Sequence, residues 1–129
     1  MSERLKAYEI IGGLLGACME QTSENKLRLL DRTALYACVR DLWLDMPDKV
    51  FSFEFRKRAG RWTSSEVDLT IRNLEDSKRL ECLNPDLVDF RWTSVGAKEY
   101  QEKIKPRLEC SGLSTSIQKY AQRLISGTT

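Results

Sequence analysis

The chain has 129 residues, 41% of them hydrophobic, enough apolar material for one domain and little for a second. A formal net charge of +2 excludes a surface that works mainly by neutralising phosphates, so any nucleic-acid affinity has to be local. There is no histidine, and Cys18, Cys38, Cys82 and Cys110 are spaced too widely for a C-x-x-C pair, which argues against a metal site and for reduced, cytoplasmic thiols.

From Ser2 to about Glu20, Leu5, Tyr8, Ile11, Leu15 and Cys18 recur at helical spacing, predicting an amphipathic first helix. Gly12 and Gly16 lie four apart on it and imply that a neighbouring backbone comes close; the alternative is a dimer seam. The run "YEIIGGLLGACM" is too short to cross a membrane. "LLGAC" resembles a lipoprotein cleavage box, but Glu9 interrupts the apolar run, so a core helix and no membrane association are expected.

After the polar "QTSEN", a second helical region runs from about Lys26 to Leu44, with Leu27, Leu30, Ala34, Ala37, Cys38 and Leu42 inward and a break near Asp31, which could cap a helix starting at Arg32. Pro47 ends it. Phe51, Phe53 and Phe55 alternate with Ser52, Glu54 and Arg56, the period of a half-buried strand. Gly60 marks a turn, and Thr63 or Ser64 can cap a third helix with Val67, Ile71 and Leu74 on its inner side.

Two short alternating segments around "NPD", Leu80 to Cys82 and Val88 to Trp92, predict a hairpin. The phenylalanine strand and this hairpin are expected to form one small sheet supporting the third helix. Thr93 is placed to cap a fourth helix ending at Pro106, and Thr115 with Gln118 suggests a capping box for a last helix. The stripe Ile117, Tyr120, Ala121, Leu124 and Ile125 must be buried on the domain's own helices or on a second copy.

The segments "WTSVGAKEY" and "EVDLTIRNLEDSKRLEC" resemble the wing junction and third helix of MarR- and PadR-type regulators, which carry a Thr-x-x-Gly pattern at that junction. From about Asp31 to Tyr100, "DRTALYACVRDL", the aromatic strand and "GRWTS" are similar to YwgA-like prokaryotic proteins of winged-helix type. Ser77 and Lys78 stand where a glycine usually follows the third helix. The resemblance implies an α+β, mostly α fold: a winged helix-turn-helix domain over residues 1–105 with a small antiparallel sheet, and an extra C-terminal helix over 106–129.

What the resemblance implies for function is a DNA-binding transcriptional regulator that binds double-stranded DNA as a homodimer, with the third helix in the major groove. The DNA-binding residues would be Ser64, Ser65, Thr70, Arg72 and Asn73 on that helix, Arg56, Lys57, Arg58 and Arg61 before it, and Lys78, Arg79 and Arg91 at the wing. Arg72 and Asn73 are of the types that read guanine and adenine. Glu66, Asp68, Glu75 and Asp76 on the same helix would repel phosphates and favour the alternative, a protein-binding antitoxin or adaptor.

With no histidine base, Gly-rich phosphate loop or nucleophile elbow, no catalytic residue, metal or cofactor is expected. Asp41, Asp45 and Asp48 read as solvated acids rather than a cation site. Of Trp43, Trp62 and Trp92, Trp62 is expected to be the most exposed; covering the core beneath its turn is favoured over stacking on a base.

Overall fold

A computed structural model describes residues 4–22, 26–28, 32–83 and 89–127. Its elements are α1 (Ala7–Gln21), β1 (Leu27–Arg28), α2 (Thr33–Asp45), β2 (Arg56–Arg58), β3 (Arg61–Thr63), α3 (Ser65–Asp76), β4 (Leu80–Cys82), β5 (Asp89–Trp92), α4 (Ser94–Glu99), a π-helical turn (Tyr100–Ile104), α5 (Lys105–Cys110) and α6 (Ser114–Gly127). The fold is α+β and mostly helical, with small antiparallel sheets.

α1 is the axis of the core. Every residue from Glu9 to Met19 is buried, because α3, α6, the π turn and α5 surround it. Between Glu9 and Met19 the helix therefore has no solvent face, unlike the amphipathic helix expected, and Tyr8, expected on its inner side, is exposed at its start. Glu9 tolerates this position because it accepts the Lys6 backbone N–H at 2.9 Å and pairs with Arg107 Nε at 2.6 Å. What comes close at these glycines is intrachain, but it is side chain and not the backbone expected. A Cβ would stand 2.9 Å from Ile104 at Gly12 and 2.3 Å from Tyr100 at Gly16.

Pro106 does not end a helix. Just before it the winding loosens, and the Lys105 N–H donates to Tyr100 O, five residues back. Proline lacks an N–H and its ring crowds the preceding turn, so the wider turn lets the helical run continue to Cys110. A division between residues 105 and 106 thus falls inside one helical run. α6 begins at Ser114, which puts Thr115 within its first turn rather than at its cap. Ile117, Tyr120, Ala121 and Leu124 are buried, and α6 packs on α1 and α2, so the chain's own helices cover the stripe.

The sheet runs in the order β1–β5–β4, all antiparallel, with Leu27 opposite Phe90 and Leu80 opposite Trp92. β1 replaces the start of the expected second helix. Its pairing is reinforced by Arg28, which grips Asp89 with two hydrogen bonds of 2.8 and 3.1 Å. α2 starts at Thr33; Leu30 and Asp31, with its proposed cap, lie outside the described residues, as do "NPD" and Val88. Ala37, expected inward, is exposed.

Residues 51–55 form no strand, contrary to expectation. The rings pack on one another instead: Phe51 meets Phe53 at 5.1 Å, Phe53 meets Phe55 at 6.2 Å and Phe55 stacks on Trp43 at 6.2 Å. Alternation survives as burial, with Phe53 inside and Ser52 and Glu54 outside. The ladder starts only at β2, which pairs with β3 in a sheet of its own. The expected single sheet is therefore two.

Candidate nucleic-acid interface

α3 is built as its local signals require. Ser64 caps it, its Oγ accepting the Val67 N–H at 3.4 Å, and Glu66 and Asp68 occupy the electropositive first turn. Val67, Thr70, Ile71 and Leu74 face the core. The outward face carries Ser65, Leu69, Arg72, Asn73 and Asp76, all exposed. Among these Leu69, at 57% exposure, is the one large apolar side chain.

The end of α3 settles the missing glycine. Lys78 adopts a left-handed conformation, φ +64°, and its N–H bonds Glu75 O while the Arg79 N–H bonds Leu74 O, both at 3.0 Å. That is the Schellman arrangement with lysine where glycine is usual.

β2 and β3 join through Ala59 and Gly60, with φ of +50° and +78°, a two-residue turn with both central residues left-handed. Arg56 opposes Thr63, Lys57 opposes Trp62, and Arg58 opposes Arg61. Opposed residues project to the same side, so Arg56, Arg58 and Arg61 share one face and Lys57 and Trp62 the other. All four cations are exposed. Trp62 is half-buried under Arg40, whose guanidinium lies 4.4 Å from the ring centre, with Lys57 at 5.7 Å.

Arg56 and Arg58 share a cleft of about 400 Å³ with Tyr36, Ser65, Glu66 and Asp68, between the hairpin and the start of α3. Two of the carboxylates lining it, Asp68 and Glu66, are engaged. Asp68 accepts Arg32 Nη1 at 2.9 Å and the Tyr36 hydroxyl at 2.5 Å, and Glu66 accepts the Glu54 backbone N–H. Burial, with the Asp68 hydrogen bond second, pushes the Tyr36 phenol up to about 12.

Several residues expected to touch DNA are not available for it. Ser64 is 2% exposed and spent on the cap, and Thr70 is 8% exposed with its hydroxyl donating to Glu66 O at 2.7 Å. Arg79 is held by Glu99 at 2.6 Å; Arg91 stays exposed and shares its charge with Glu81 across the ladder at 2.8 and 3.0 Å. Ser65, Arg72, Asn73, Lys78 and the hairpin cations remain at the surface. Arg40, Tyr36 and Leu69 were missed; Tyr36 and Arg40, four apart on α2, share a helix face that the apolar pattern alone does not single out.

The remaining candidates have structural roles. Asp41 pairs with Arg123 at 3.3 Å, and Asp45 accepts the Tyr120 hydroxyl. Cys18 and Cys38 are buried free thiols donating to Ala121 O and Tyr120 O at 3.6 and 3.7 Å. Burial, with Cys38 nearby, pushes the Cys18 thiol up to about 12, which makes it inert. No helix among the described residues is long and apolar enough to cross a membrane. No protein-family model, curated protein or solved structure matches the chain.

Proposed function

We propose that this chain is a winged-helix module that binds double-stranded DNA as a regulator, with α3 in the major groove. The observation that carries the reading is α3 itself: Val67, Ile71 and Leu74 anchor one side, and Ser65, Arg72 and Asn73 stand open on the other. The three-stranded order β1–β5–β4 around α1, α2 and α3 supports it, since a winged helix places its first strand beside the second strand of the wing. Arg72 and Asn73 are suited to paired hydrogen bonds on base edges, and the module is a binder, not an enzyme. Binding to palindromic sites calls for two copies. A homodimer would use surfaces other than α1 and the α6 stripe, which lie in the chain's own core.

Titration of a fluorescent 20-base-pair duplex of random sequence at low salt tests the reading. Binding is expected; on a duplex selected by the parent from a random pool, Arg72→Ala and Asn73→Ala should each weaken it about 5- to 50-fold. Absence of binding would leave the protein-binding reading, which the acidic residues Glu66, Asp68, Glu75 and Asp76 on α3 favour.

A further inference from the structure

On the strength of that winged-helix reading, we propose that the β2–β3 hairpin, and not the β4–β5 wing, is the element that grips the DNA backbone. The charges are divided unequally between the two hairpins. From Leu80 to Phe90 the sequence holds Glu81, Asp86 and Asp89 and neither lysine nor arginine. The next residue, Arg91, is folded back on Glu81. Arg79, at the approach to β4, is taken by Glu99. A phosphate backbone laid along this side would meet acids and, Lys78 apart, cations that already have acid partners, and gain less than on a face of open arginines.

The β2–β3 hairpin is the opposite. Arg56 and Arg58 project from one face, both exposed, and neither makes an ion pair with a carboxylate among the described residues. The carboxylates nearest in the shared cleft are Glu54, Glu66 and Asp68, of which Asp68 already has Arg32 and Tyr36, and Glu66 has a backbone N–H. The pairing register also sets Arg58 directly across from Arg61, beside a turn with an alanine at φ +50°. Like charges directly opposite each other destabilise a ladder, and a left-handed alanine adds strain. A polyanion along the arginine face offsets the repulsion between Arg58 and Arg61. Because the cleft joins this face to the first turn of α3, one strand can contact both while the helix enters the groove.

The test is the salt dependence of duplex binding, measured by fluorescence anisotropy with the same 20-base-pair DNA. Removing one side chain that neutralises a phosphate lowers the slope of log K against log salt by about 0.9. Arg56→Gln/Arg58→Gln should lower it by about 2, Arg56→Lys/Arg58→Lys should keep it, and Lys78→Gln/Arg91→Gln should change it by less than about 1. Arg58→Gln should also melt no lower than the parent, since it relieves the cross-strand repulsion; if the double variant melts early, Arg58→Gln alone, with a drop of about 1 in slope, serves instead. Duplex binding whose slope falls in Lys78→Gln/Arg91→Gln but not in Arg56→Gln/Arg58→Gln would overturn the hairpin assignment and leave the winged-helix reading standing. No duplex binding by the parent at low salt would overturn both.

Discussion

Replacing Lys78 by glycine should stabilise the fold, although it removes a side chain and adds none. Lys78 sits at φ +64° because the last turn of α3 must close on Glu75 O and Leu74 O before the chain enters β4. For an L-residue the left-handed conformation costs roughly 1–2 kcal/mol. Glycine removes that cost but gives the unfolded chain extra freedom worth about 0.4–1 kcal/mol against folding. The net gain is about 0.5–1 kcal/mol, or a rise in Tm of about 2–4 °C for a chain of this size. Thermal melting and urea denaturation followed by circular dichroism read it, with Lys78→Ala as control: it loses the charge yet keeps the strain, and should stay within about 0.5 kcal/mol of the parent. Melting of Lys78→Gly at or below Lys78→Ala would refute the left-handed geometry.

Gly16→Ala should cost about 2–3 kcal/mol, because its Cβ would stand 2.3 Å from the Tyr100 ring, and combining it with Tyr100→Leu should recover part of the loss in the same denaturation assay. Arg107→Met leaves the Glu9 carboxylate, 4% exposed, without its cation and should cost about 2–3 kcal/mol; adding Glu9→Gln should narrow the deficit. Two carboxylates give the fold an acid limit. Burial pushes Glu20 up, but hydrogen bonds from Lys105, Tyr100 and Gln101 outweigh it and hold the group below its ordinary 4.5, while the Arg28 hydrogen bond holds Asp89 below 3.8. Folded values below unfolded ones mean that this stability is complete above about pH 5 and is lost as the pH falls through the depressed values, so Tm should drop on acidification and Asp89→Asn should flatten that drop.

What could be read from the residues was mostly what short-range chemistry decides. Ser64 and Thr93 each cap a helix through a hydroxyl that accepts an N–H three residues on, a relation visible in any four-residue window. The inner side of α3 followed from Val67, Ile71 and Leu74 for the same reason. The failures lie where partners are distant in sequence. "KLRLL" has leucines at helical spacing, and only pairing with Phe90 and Asp89 draws Leu27 and Arg28 into a strand. Period two around Phe53 showed which rings turn inward, but not that aromatic contacts would stand in for a ladder. At the candidate interface the cluster Arg56 to Arg61 was evident, whereas the neutralisation of Asp68 by Arg32 and of Arg79 by Glu99 spans 36 and 20 residues and leaves no local trace.

The loosened turn at Tyr100–Ile104 makes the spacing of this helical run intolerant of shortening. It holds one residue more than a regular turn would, and removing Gln101, which is exposed, would leave a regular α turn directly ahead of Pro106. Pro106, whose ring crowds the preceding turn, would kink that regular turn and displace Arg107 and Leu108, which pair with Glu9 and pack on Gly13. A surface deletion that touches no buried side chain would thereby dismantle the seam along α1.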